Sequence, residues 1–408
     1  MQIGLSKYNW TPWVDKIALF LVAFILIMNF LIPERWSISR LENLLLPLIG
    51  VIIVSINKFK VNKTIIYTLI ALFIATVLSN IANSKGLNAY MISLRFLKYI
   101  FIFLLVSHSA IRQRKSIDTI FDFFAIALII INCIQIINPF GWGIDLLQLY
   151  SNHEQNYELN EHLNRNFRLF GTQNNPNNNA VLWSMLCIYY FARTLSRKSI
   201  LNYTIICFGI LFIFLTQSRT CLLGIVIAGG TYLLVQNFSI KRVSLLLIGG
   251  LFVIALIQLS GLSYMQQIIH NNPLKISSLN QRYDVWESLF ELWKTEPILG
   301  LGLNTDFISL VGKSPDSEYF YFLAGNGLIF IIPYLFLLLY IITTGIIKIK
   351  TSSSYVLYIM LPTLLIINAI TNYSFNNIKI ATLFFILIAL TNRQSILSKN
   401  HEENTDSF

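Results

Sequence analysis

The sequence predicts an all-α integral membrane protein of about twelve transmembrane helices, and three observations predict it. Of its 408 residues, 55% are hydrophobic and 12% charged, with a mean hydropathy of +0.63, far from the balance of a soluble domain. Apolar runs recur at close to the roughly 20 residues a helix needs to cross the hydrocarbon core. The basic residues of the links between them alternate by side, as the positive-inside rule requires. The formal charge of +11 is scattered singly and in pairs and forms no stripe, which argues against a nucleic-acid surface.

Taken in order, the candidate spans are 17–33, 42–57, 64–82, 90–111, 119–138, 179–195, 200–216, 221–236, 243–260, 322–347, 354–372 and 377–392. The first follows Lys7 and Lys16, is long for a signal-peptide core and has no small-residue cleavage site behind it, so it stays as a helix. With the N-terminus inside, the inner links collect Lys58, Lys60 and Lys63, then Arg112, Arg114 and Lys115, then Arg193, Arg197 and Lys198. Lys241 and Arg242, Lys348 and Lys350, and Arg393 and Lys399 fall on the same side. The short outer links hold only Arg35, Arg40, Lys85, Arg219 and Lys379. The chain therefore divides into spans 1–138, an outer link 139–178, spans 179–260, a second outer link 261–321, spans 322–392 and a polar inner tail 393–408. Cys133, Cys187, Cys207 and Cys221 lie in or beside apolar runs without ligand-like spacing and read as packing residues.

Several basic residues share the outer boundary. Arg219 stands in "TQSRTCLLG", between two apolar runs, where it either snorkels to lipid phosphate or binds an anion. Arg95 and Lys98, spaced i, i+3 inside the fourth span, share one face, and their insertion cost of about 2.5–3.5 kcal/mol each directs that face to a protein cavity. In the second outer link Trp286, Leu289, Phe290 and Trp293 repeat at helical spacing, which predicts an amphipathic helix over 281–294 lying along the membrane surface. Ser278 and Gln281 have capping-box spacing and start that helix near Asn280, which puts Arg282 in the first turn, where a bound anion explains a cation better than stability does. Pairing of Arg282 with a carboxylate such as Glu287 is the alternative. Arg168 precedes Asn175-Pro176-Asn177, a helix start with Asn as cap.

In this order, "RLFGTQNNPNNNA", "TQSRTCLLG", "QRYDVWESLFELWKTEPILGLGLN" and "DSEYFYFLAGNGLIF" resemble the O-antigen ligase and polymerase superfamily over roughly residues 160–345. The resemblance implies a GT-C-like membrane domain in the bacterial inner membrane, termini cytoplasmic and active site periplasmic. The implied reaction transfers a glycan from one undecaprenyl-pyrophosphate-linked oligosaccharide to a sugar hydroxyl of another, among membrane lipids and with a chain-length regulator protein as partner. Arg219 and Arg282 match the family's arginines, and Trp286, Pro297, Gly300 and Gly302 its structural positions. Gly327 holds the glycine that follows the family's histidine, whose place is taken here by Asp316; this departure favours a Wzy-type polymerase over a ligase. A lipid-linked oligosaccharide flippase is the more distant rival.

The implied chemistry expels a pyrophosphate, which needs cations. No Asp-x-Asp is present and Asp316-Ser317-Glu318 is a weak metal site, so no metal or cofactor is expected and Arg219, Arg282, Arg95, Arg168 and Lys98 are the phosphate candidates. Asp316 and then Glu318 are the candidate general bases; Asp316 also suits a helix N-cap. Tyr319 is a candidate for stacking on a sugar.

Overall fold

The computed structural model describes residues 12–33, 50, 61–150, 167–173, 175–236, 277–302 and 316–391. The expected spans 42–57 (residue 50 apart) and 243–260, the tail, and parts of both long links lie outside these residues. All described secondary structure is helical. In chain order the helices are α1 (Pro12–Leu26, continued by a π turn Ile27–Leu31), α2 (Lys63–Ala82), α3 (Leu87–Arg112), α4 (Arg114–Ile137), α5 (Trp142–Tyr150) and α6 (Pro176–Ser196). They continue with α7 (Ile200–Leu215), α8 (Arg219–Gln236), α9 (Ser277–Thr295), α10 (Glu318–Lys348), α11 (Val356–Asn368) and α12 (Ile378–Thr391). By length and composition α2, α4, α8, α10 and residues 89–108 of α3 are long and apolar enough to cross a membrane.

The centre is built from α6, α11 and α12, which are buried along nearly their whole length. Around them α8 packs on α11, α7 on α6, α3 on α12 and α10 on both α2 and α11. At one end of the bundle two ion pairs lie within the protein: Arg193 pairs with Asp122 at 2.5 Å and Arg114 with Asp118 at 3.0 Å, and Arg114 also donates to the Leu390 carbonyl. The opposite end, formed by the starts of α3, α6, α8, α10 and α12 and the end of α11, carries the candidate residues.

Local chemistry explains several boundaries. Asn175 caps α6 by accepting the Asn177 N–H at 2.7 Å, with Pro176 in the first helical position, where its missing donor costs nothing. The first long link is not wholly irregular: after Asn138, which ends α4 in the left-handed region, the chain re-enters a helix at α5, and the Asn138 side chain accepts the Gly143 N–H at 2.9 Å. α11 ends at Asn368, short of the expected 372, because the following residues turn to a polar link, 369–377.

α10 starts at Glu318, ahead of the expected 322, and is interrupted at Gly327 (φ 65°, ψ −167°). The break lets the turn after α9 dock into the helix. Leu301 and Gly302 donate their N–H groups to the Ala324 and Gly325 carbonyls, and Leu328 and Ile329 donate theirs to Pro297 and Ile298. Ser79 also donates to Gly325, and Asn83 to Gly300, so α2 fixes the same joint. A Cβ on Gly300 would stand 2.6 Å from the Asn326 nitrogen, and one on Gly327 would overlap the Ile298 carbonyl oxygen. Gly327→Ala is therefore expected to cost at least the ~1–3 kcal/mol of a forbidden backbone conformation, seen as a lower melting temperature of the detergent-solubilised protein; an unchanged melting temperature would mean the joint is dispensable.

Candidate functional site

The link 369–377, "AITNYSFNN", gathers the candidate residues, and it was not among those singled out from the sequence. Arg95, half-buried on α3, donates from Nη1 to both the backbone carbonyl and the side-chain oxygen of Asn376, each at 3.2 Å. Asn376 in turn gives its N–H to Glu318 Oε1 at 2.6 Å. Lys98, one turn along α3 from Arg95, is buried, as a cation facing protein and not lipid must be.

On the far side of the link, Arg168 donates from Nε to the Thr216 carbonyl at 2.9 Å and from Nη2 to Asn177 Oδ1 at 3.0 Å. Asn177 then donates to Asn372 in the link at 3.1 Å. The segment around Arg168 is tucked against the end of α7: Leu169 N–H reaches the Leu215 carbonyl, and Gln217, in the left-handed region, donates to the Phe167 carbonyl at 2.7 Å. Two distant motifs, "RLFGTQ" and "TQSR", therefore form one structure, and Arg219 leaves it as the first residue of α8. The neighbouring Thr220 hydroxyl bonds to that of Thr371, again in the link, at 2.5 Å.

Asp316 and Arg282 complete the arrangement. Arg282 Nε lies 3.3 Å from Asp316 Oδ2, so its carboxylate partner is Asp316 and not Glu287. Tyr373 of the link adjoins Asp316; burial first, then the Asp316 charge, pushes its hydroxyl well above the ordinary value, so it stays protonated. The rings of Tyr373 and Tyr321 are 6.0 Å apart. Among the described residues here, the cations Arg95, Lys98, Arg168, Arg219 and Arg282 outnumber the carboxyl groups of Asp316 and Glu318.

Three expectations are corrected. α9 begins at Ser277, a full turn before Asn280, so Arg282 sits in the second turn and the dipole argument no longer applies to it. Nothing in Ser-Ser-Leu-Asn stops a helix from starting there; the nearest upstream breaker is Pro273. The buried edge of α9 is Val285 and Leu289, packed toward α10, with Trp286 stacked on Phe320 at 5.6 Å, while Phe290 remains exposed. Finally, Ser317 and not Asp316 is the N-cap residue of α10; Asp316 precedes it in the left-handed region (φ 41°).

The two acidic candidates differ in access. The Asp316 side chain is 44% exposed, whereas Glu318 is fully buried. Only the former can meet a substrate without rearrangement. The Tyr319 hydroxyl is already committed to the Ile366 carbonyl at 2.8 Å.

A search of curated proteins finds no match for the chain. A family model described as O-antigen ligase matches residues 203–335, which contain Arg219, Arg282, Asp316, Glu318 and Tyr319 but neither Arg95, Arg168 nor the link 369–377. Over that segment the chain is similar to the O-antigen ligase family.

Proposed function

We propose that this protein is a Wzy-type polymerase that moves a growing glycan from undecaprenyl pyrophosphate to a sugar hydroxyl of an incoming lipid-linked repeat unit, on the periplasmic face of the inner membrane. The observation that carries this reading is the grouping of cationic side chains around one short link, next to an accessible carboxylate, in a chain with an O-antigen ligase domain. The acceptor oxygen attacks the anomeric carbon, the bond to the pyrophosphate oxygen breaks, and the leaving group departs with its negative charge. Guanidinium groups suit that charge because their planar forks bind phosphate oxygens in pairs. Arg219, Arg282 and Arg95 are assigned to the donor and acceptor phosphates. Asp316 is assigned to take the proton from the attacking hydroxyl, a role that typically contributes 10²–10⁴-fold. Glu318, enclosed behind Asn376, fits a supporting role better than proton transfer to substrate.

The description of the matching family favours a second reading, transfer of the finished glycan to a lipid core or a protein. A strain lacking the gene separates the two on a gel of surface glycan. Single repeats retained without long chains indicate a polymerase, loss of all attached glycan a ligase, and unaltered polymer overturns both.

A further inference from the structure

Asn376 is held from three directions. Its N–H is accepted by Glu318 Oε1 at 2.6 Å, from a carboxylate with no exposed surface. Its neighbour Phe375 is buried among Tyr334, Tyr99 and Phe385, with ring centroids 5.1, 6.1 and 5.7 Å away. Its carbonyl and side-chain oxygens both accept from Arg95 Nη1. Tyr99 stands one turn along α3 from Arg95, so the aromatic anchor and the clamped guanidinium rest on the same helix.

A clamp of this kind has a chemical consequence. A guanidinium carries five N–H donors in a rigid fork, on a long stem that loses rotamer freedom when it is fixed. With Nη1 held on Asn376, the orientation of Nη2 and Nε is set before any ligand arrives. The two acceptors on Asn376 take up the N–H groups of Nη1 and leave Nη2 and Nε, and a fully buried carboxyl group set against the backbone of this link and the Tyr334 hydroxyl is a costly way to tie down a loop. Both features make sense if the geometry of Arg95 matters.

We infer that Asn376, braced by Glu318, is a positioning residue that presents the free edge of the Arg95 guanidinium to a phosphate of the substrate. This rests on the polyprenyl-pyrophosphate reading above and extends it to a link outside the O-antigen ligase match. Asn376 itself touches no substrate; it acts through Arg95.

The test uses the full chain in detergent and inorganic pyrophosphate as probe, with binding measured calorimetrically. Asn376→Ala is expected to weaken pyrophosphate binding roughly tenfold or more, the usual effect of losing a hydrogen bond to a charged group. Asn376→Gln, which keeps an uncharged amide acceptor on a longer stem, should recover part of the loss. In an Arg95→Ala background, Asn376→Ala should add nothing, because the residue through which it acts is gone. Should Asn376→Ala fail to fold, Asn376→Ser, too short to reach Nη1, replaces it in both backgrounds. Undiminished binding in the Ala or Ser variant, or equal losses with and without Arg95, would overturn the inference while leaving the pyrophosphate reading intact. Failure of the parent protein to bind pyrophosphate would overturn that reading and the inference with it.

Discussion

Arg219→Ala is expected to lower glycan transfer by about 10²–10³-fold, the usual cost of removing one preorganised donor from a charge developing in the transition state, without loss of folded protein. Arg219 is the first residue of α8, where the positive end of the backbone dipole disfavours a cation by about 0.3–1 kcal/mol. The side chain thus gains nothing from the helix it begins. The opening turn also has backbone N–H groups with no carbonyl partner within the helix. A guanidinium beside those amides adds positive charge where an anion is already favoured. Retention of the turn is expected because its structure comes from elsewhere: Arg168 holds the Thr216 carbonyl, Gln217 holds Phe167 and Thr220 holds Thr371. Arg219→Lys should recover only part of the loss, since an ammonium cannot engage two phosphate oxygens in one plane. Complementation of a deletion strain, read on a glycan gel alongside size-exclusion profiles of the purified variants, measures both arms. Near-normal chain length in the alanine variant would remove Arg219 from the phosphate site.

Much of this architecture is legible in the sequence, and the parts that are not share physical causes. Hydrophobic runs of the right length found the helices of both halves, and the i, i+3, i+4 pattern found α9. Hydropathy could not tell that α11 and α12 are enclosed by protein on all sides, because side chains facing lipid are as apolar as those facing a neighbouring helix. The same blindness extended the span before the last link to residue 372. Asn368, Asn372, Asn376 and Asn377 were the available signal that the chain had left the hydrocarbon, since so many amide groups in one stretch demand partners. Arg282 was placed at a helix start by a capping-box spacing that occurs inside the helix instead. Its pairing with Asp316 joins segments far apart in sequence, which no local pattern reports. Gly300 and Gly327 could be picked out as structural positions, but the reason, a helix opened to admit a turn, exists only in three dimensions.

Asp316→Asn is expected to reduce turnover by about 10²–10⁴-fold, the range of general-base assistance, while binding of lipid-linked substrate persists. The pair with Arg282 supplies a competing role, in which Asp316 merely orients the guanidinium. Asparagine separates the two. Its side-chain oxygen can still accept from Arg282 Nε, yet an amide cannot take a proton from the attacking hydroxyl at neutral pH. Asparagine also tolerates the left-handed backbone that Asp316 adopts (φ 41°), so the substitution adds little strain, whereas a β-branched residue would confuse loss of the base with distortion of the entry to α10. Ser317, whose hydroxyl bonds to the Ala369 carbonyl, and Glu318, whose N–H does the same, keep that entry in place independently of Asp316. If orientation of Arg282 were the whole role, Asp316→Asn would retain most activity and Arg282→Ala would be the more damaging change. If proton transfer is the role, the asparagine variant loses turnover with an unchanged KM for the donor, and Asp316→Glu, whose longer stem can still deliver a carboxylate, recovers a measurable fraction. An asparagine variant with near-parental turnover would dismiss Asp316 as the base, and the search would pass to a group supplied by the substrate itself.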